Sequence, residues 1–265
     1  MTFHPIRSAT CAAALFALAI ARTFAAEPAS APNAAPARTY AIVSLIGDQF
    51  AVVTRGPEVG TRLDPNQRKL FPVPDAVFDR IAAGAVERAI LNAHPGAPVL
   101  KASIRDPRLF ALQEKLFTES AESHDMRIAL HDLLTKAGAT DLVLVTKRRG
   151  DATFPIVSGR IGAGGPINGI GFYIDNESQM YNTQHLMTGT GFLAPYAFLM
   201  VSMIDLADMH VVKSKQGLES TMFLPVDKQG ADRAWDALSA KEKVDSLDLV
   251  IRRSVETGMA DVLAP

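Results

Sequence analysis

The stretch AGATDLVLVTKRRG, residues 137–150, decides the fold class. Residues 142–146 form a short run of strand-forming residues, preceded by Thr140-Asp141 and followed by the charged Lys147-Arg148-Arg149. Such a run, apolar without alternation, reads as a strand buried on both faces, the kind that helices cover. Just upstream, Met126, Leu130, Leu133, Leu134 and Ala137 recur at helical spacing, and Gly138 stands at the C-cap position. A helix that feeds a buried strand is the building unit of an α/β layer.

Further upstream the same alternation repeats. Asp106-Pro107 opens a helical pattern with Asp as cap and Pro at the first helical position, interrupted near residues 120–123. Residues 99–104 predict a short strand. Asp75 is expected to cap a helix whose apolar face is Phe78, Ile81, Ala82, Ala85, Ala89 and Ile90, ended by Pro95-Gly96. Residues 40–46 and 50–54 are strand-rich and flank Gly47-Asp48, which predicts an opening hairpin.

Downstream the texture changes. Eight glycines fall between residues 159 and 191, so this segment reads as a long loop or a loosely paired hairpin. Strand character returns over 192–204, a turn over 205–208, strand again over 210–215, and one further short strand over 220–224. Ser239-Ala-Lys-Glu242 is a capping box that opens a long C-terminal helix with Val244, Leu247, Ile251, Val255, Met259 and Val262 on one face. The order predicts an α/β (α+β) sandwich: one domain over residues 39–265, a mixed sheet, helices packed on it and a long C-terminal helix.

Ahead of that domain, Met1 to Ser8 carries His4 and Arg7 and no acid, an apolar run spans residues 9–21, and small residues follow around Ala25. This is the pattern of a cleavable signal peptide over residues 1–25, with an apolar core shorter than the about 20 residues a membrane span needs. Residues 26–38, almost all Ala, Pro and small polar types, predict a flexible linker. Cys11, the chain's single cysteine, lies inside the signal and precedes most of its apolar core, so it is not placed as a lipidation site. The expected mature chain is then cysteine-free, which excludes disulfides, thiolate ligands and a cysteine nucleophile. Losing Arg7 and Arg22 takes the formal charge from −1 to −3. That near-balance gives no electrostatic footprint for nucleic acid. The expected compartment is outside the cytoplasm, the periplasm in a Gram-negative cell.

The strand–helix–strand–helix opening together with Thr140-Asp-Leu-Val-Leu-Val145 resembles the small α/β domains of exported bacterial envelope proteins: the N-terminal domain of TolB, the curli secretion protein CsgG and the activator LpoB. Residues 200–212, MVSMIDLADMHVV, are similar to the strand–turn–strand pair of those domains. The chain is also similar to uncharacterised exported proteins of proteobacteria. The resemblance covers element order over residues 39–265 and implies an envelope accessory role. It brings no catalytic residues.

Four chemistries follow from particular residues. The segment IVSLIGDQF, residues 42–50, is close to the opening of GDSL-type serine hydrolases, but Gln49 stands where the nucleophilic serine belongs. Asp208-Met-His210 does not have that family's acid–histidine spacing; a hydrolase built from Asp and His that the fold brings together stays open as an alternative. His124 and His131, seven apart, would sit about 10 Å apart along a helix and cannot share an ion unaided. Met180, His185 and Met187 have the soft donors that suit copper(I), a second alternative. The glycines of 159–171 match no phosphate-binding pattern and run into strand rather than a helix N-terminus. Recognition is the leading expectation: glycine permits close backbone approach, and long loops carry function. Asn168, Tyr173, Asp175, Tyr181 and His185 are the expected binding residues, toward a protein or envelope component, with no cofactor and no metal.

Overall fold

The computed structural model describes residues 38–56, 66–117, 120–156, 159–162, 164–182, 187–225 and 233–264. The expected signal peptide and nearly all of the expected linker lie outside these residues.

Among the described residues, eleven strands and four α-helices follow in order: β1 (Tyr40–Ser44), β2 (Gln49–Arg55), β3 (Asn66–Pro72), α1 (Val77–Ala93), β4 (Val99–Ala102), α2 (Pro107–Leu112), α3 (Ala121–Lys136), β5 (Asp141–Lys147), β6 (Arg149–Asp151), β7 (Phe154–Ile156), β8 (Gly159–Ile161), β9 (Pro166–Asn182), β10 (Met187–Asp205), β11 (His210–Ser220) and α4 (Ala240–Val262). Nine of the strands form one mixed sheet.

The sheet is best read as five lanes. β10, the longest strand, has β11 along one edge. Its other edge is shared: residues 199–205 pair with β5 and residues 187–198 pair with β9. β5 and β9 therefore run in the same direction along one lane. The next lane repeats the device, because β1 lies parallel to β5 and β2 lies parallel to β9. The outer lane holds β4 beside β1 and β3 beside β2. Three lanes are thus broken at the same level, and the breaks make a seam across the sheet.

The expected opening hairpin is corrected here. β1 and β2 do not pair; they are successive segments of one lane. Leu45 continues the ladder by donating to the Val145 carbonyl, and Gly47, at φ +80°, steps the chain sideways without reversing it. The Gly-rich segment resolves to the hairpin alternative, and its strands are central ones. Its glycines serve contacts. A Cβ at Gly171 would stand 2.1 Å from the Ala51 carbonyl oxygen, and Gly191, at φ +81°, carries the bulge where the β9–β10 register shifts. The expected short strand over 220–224 reduces to the end of β11 and a single bridge from Phe223 to Leu193.

α1 and α4 cover one face over a core that includes Tyr40, Ile42, Phe78, Ile90, Val201, Ile251 and Val255. α2 and α3 cover the opposite face beside β1 and β5, through Leu109, Leu116, Leu130, Leu134, Leu142 and Leu144. Beyond the seam, that second face is covered by the excursion from β6 to β8, whose Ala152 and Phe154 pack with Tyr173, Phe192 and Tyr196. The fold class read from the sequence, a mixed α/β layer structure with a long C-terminal helix, is the one observed. The predicted caps at Asp106 and Ser239 accept from their helices' backbone N–H groups, the latter as a full capping box, and Ser120, where the helical pattern breaks, caps α3 in the same way. Asp75 is the exception. It lies in a short turn at φ 62° and no side chain caps α1.

Candidate functional site

The seam opens a crevice at a switch point of the parallel strands. β4, β1 and β5 are parallel. After β1 the chain, by way of β2 and β3, enters α1 on one face; after β4 it enters α2 on the other. Adjacent strands whose connections leave to opposite faces open a gap at their carboxyl ends. Here the gap has a volume of about 390 Å³ and is lined by Ser44 at the end of β1, Lys101, Ala102, Ser103 and Ile104 at the end of β4, and Ala76, Asp79 and Arg80 at the start of α1. Small-ligand sites fall in the range of about 300–1,000 Å³.

Asp79 organises the floor. Its Oδ1 accepts from the Ser44 hydroxyl at 2.6 Å, the Ile46 N–H at 3.0 Å and the Gly47 N–H at 3.3 Å. These are the donors freed where β1 leaves the ladder. Burial pushes the Asp79 carboxyl above its ordinary range, opposed by those hydrogen bonds and by the Lys147 charge. Lys147, at the end of β5, lies across Gly169 with its ammonium near Gly47; burial draws it below the ordinary lysine range, against Asp79, Asp48 and Glu114. At the rim, Arg80 donates to the Asp75 carbonyl and Lys101 pairs with Glu87 at 2.9 Å. Both keep further donors, since a guanidinium has five N–H groups and an ammonium three.

The backbone that delivers these groups is strained. Asp75 and Ala76 are both left-handed, at φ 62° and 47°, immediately before α1. Such conformations in residues other than glycine cost about 1–3 kcal/mol each and cluster at ligand clamps. They turn the chain from the end of β3 into the crevice wall, with the first-turn N–H groups of α1 left without a side-chain cap.

The described residues among those expected from sequence to form a binding surface are not gathered on one surface. Tyr173 has no exposed surface and packs against Phe154 and Phe192. Asp175 is equally enclosed. Burial pushes its carboxyl up, but bonds from the Ser178 and Glu177 N–H groups, the Ser178 hydroxyl and Arg55 outweigh this and hold it below the ordinary range. Asn168 donates to Glu114 at 2.9 Å at one end of β9, and Tyr181, 57% exposed, lies near the other. Twelve residues of strand lie between them, or roughly 40 Å. His185 lies outside the described residues, and with it the Met180–His185–Met187 grouping; Met180 itself is buried in the third core.

A second concavity, of about 610 Å³, lies between α3 and the β10–β11 turn and holds His124, His131 and His210. His131 turns to Asp132, and His210 turns to Asp208, which raises the His210 pKa. Among the described residues no serine or threonine lines this groove and no histidine lines the crevice. Among the described residues no three His, Cys, Asp or Glu side chains converge to hold a metal ion.

No protein-family model and no curated protein matches the sequence. Solved structures do match. A PelC dodecamer from Paraburkholderia phytofirmans is 9% identical, with 89% of this chain and 96% of that chain covered and a TM-score of 0.34. Hypothetical protein CT253 from Chlamydia trachomatis is 11% identical over 86% of this chain and 94% of that one, with a TM-score of 0.31. Lipoprotein GNA1162 from Neisseria meningitidis is 9% identical over 73% and 88%, with a TM-score of 0.26. At such identities and scores the likeness carries no inference about partner or activity.

Nothing in the sequence marked the crevice. Asp79 reads there as an acid in a first helical turn, the commonest surface placement for one. Ser44 reads as a polar interruption of a strand. Only the lane break joins them.

Proposed function

We propose that this is an exported accessory protein, periplasmic in a Gram-negative cell, that acts by binding a small zwitterionic group in the crevice between β1, β4 and α1. The signal-like N-terminus supports export, and no helix among the described residues is long and apolar enough to cross a membrane. One observation carries the ligand assignment: the crevice is negative at its floor and positive at its rim. Asp79 Oδ1 is filled by three donors, which leaves Oδ2 as the acceptor for an ammonium or a hydrogen-bond donor. Arg80, Lys101 and the uncapped first turn of α1 face the other end of such a ligand. Free amino acids and the ends of peptides share this chemistry.

The test is a thermal-shift and calorimetric screen of the protein against amino acids, dipeptides, simple amines and inorganic phosphate. Zwitterions should stabilise the protein, amines and phosphate alone should not, and Asp79→Asn should abolish the response while remaining folded. A response to phosphate that equals the response to zwitterions sinks the assignment, as does a response that survives Asp79→Asn.

A second reading keeps the Gly-rich hairpin as the contact for a protein or envelope component. The exposed ring of Tyr181 favours it. A partner captured by the wild type and equally by Tyr181→Ala would remove that support.

A further inference from the structure

The crevice between β1, β4 and α1 changes character along its length. The residues that α1 gives to it recur at helical spacing: Ala76, Asp79, Arg80, Ala83 and Gly84. Ala83 lies one turn beyond Asp79, and Gly84 one turn beyond Arg80, about 6 Å further along the helix axis. The charged pair thus stands near the start of the stripe. Past it the helix wall carries one methyl group and then bare backbone. Facing this part of the crevice are Ala102 and Ile104, both partly buried, with the exposed Ser103 between them.

Gly84 has no reason to be glycine in the fold itself. Two glycines lie inside helices among the described residues, Gly84 in α1 and Gly258 in α4. Gly258 is required by packing, because a Cβ there would stand 2.6 Å from Val201 Cγ2. A Cβ at Gly84 would meet only the end of Arg88, at 3.9 Å, beyond its own helix backbone. Its φ is not in the left-handed region, and the buried face of α1 is made by Phe78, Ala82, Ala85, Val86 and Ile90. A glycine in mid-helix weakens the helix relative to alanine. What the missing side chain does provide is room in the crevice.

We infer that the crevice selects zwitterions that carry a bulky apolar side chain, and that Gly84 is the residue that leaves space for it. This selection rests on the zwitterion-binding role proposed for the same crevice. An ammonium and a carboxylate are each of the order of one or two water molecules, at about 30 Å³ apiece. They leave much of the 390 Å³ unfilled, and the remainder lies against Ala83, Gly84, Ala102 and Ile104. An apolar side chain placed there leaves water at a gain that grows with its area. A polar side chain of the same length gives up its water and finds no charged partner on those walls.

The test is calorimetric titration of the protein with glycine, L-leucine, L-methionine and L-glutamine. All four are zwitterions, and methionine and glutamine are close in length. Leucine and methionine should bind at least about tenfold more tightly than glycine and glutamine. Isoleucine at position 84 would fill the space with a side chain that has one preferred rotamer in a helix and cannot swing aside. In Gly84→Ile the leucine-to-glycine ratio should therefore fall to about threefold or less. Gly84→Ala, which the open surroundings allow to fold, should give an intermediate ratio and serves if Gly84→Ile proves unstable by circular dichroism. Glycine or glutamine binding as tightly as leucine would overturn the selection and leave the zwitterion role standing, as would a leucine preference unchanged in the folded Gly84 variants. No binding of any of the four would remove the zwitterion role and the selection with it.

Discussion

Replacing Asp79 with alanine removes the acceptor on which three donors at the seam converge. Two of those donors are backbone N–H groups of Ile46 and Gly47, both buried. A buried N–H left without a partner costs about 1–3 kcal/mol. The longer Gly47 bond belongs near the bottom of that range and the Ile46 bond near its middle, which gives about 3 kcal/mol in all. Removing a carboxylate whose charge is disfavoured by burial works the other way and keeps the figure from the top of the range. For a domain of this size the loss corresponds to a fall in Tm of about 6–12 °C. Asp79→Asn keeps a carbonyl oxygen in the Oδ1 position and should cost about 1 kcal/mol or less. Urea denaturation of the three proteins, read by far-ultraviolet circular dichroism, gives both differences. Alanine and asparagine variants of equal stability would refute the reasoning, because the seam would then not depend on that acceptor.

Gly217→Ala should destabilise by about 3 kcal/mol, since its Cβ would stand 1.8 Å from the Ser254 carbonyl oxygen and force α4 off the sheet. Gly84→Ala, whose nearest neighbour beyond its helix backbone is the mobile end of Arg88 at 3.9 Å, should instead gain about 0.5–1 kcal/mol by the same denaturation assay. Tyr196→Phe should be neutral or stabilising, because the hydroxyl is buried with no hydrogen-bond partner among the described residues and burial raises its pKa. Asp175 and Asp79 give opposite pH slopes. Asp175, held low, contributes stability above the unfolded value of about 3.9 that is lost as pH falls through its folded pKa; Asp175→Asn should flatten that acid limb in pH-dependent unfolding. Asp79, held high, makes stability decline as pH rises from about 3.9 through its folded pKa, and Asp79→Asn should remove that decline.

The local signals of the sequence were read well where one residue type does one job. Ser239 and Glu242, Asp106 with Pro107, and the run from Leu142 each have a single inexpensive structural solution, and each takes it. Pairing was less legible. Gly47-Asp48 is as good a turn as any hairpin has, but a hairpin needs the two strands to find each other, and here β5 and β9 compete for them and win. The glycines of β9 and β10 looked like loop because their reasons are distant: Ala51 at Gly171 and Asp175 at Gly191. Tyr173 and Asp175 looked like surface chemistry for the same cause. Strands at the centre of a wide sheet bury residues that a loop would expose. The crevice was not legible at all, since Ser44, Asp79 and Lys101 come from three elements and only the topology sets them side by side.

Hydrogen–deuterium exchange of the protein, with and without a saturating mixture of amino acids and dipeptides, tests the binding account most directly. The account predicts slowed exchange in peptides covering residues 44–48, 76–84 and 101–104, and none of that slowing in Asp79→Asn. Unchanged exchange across those three segments, or protection confined to another part of the sheet, would contradict it.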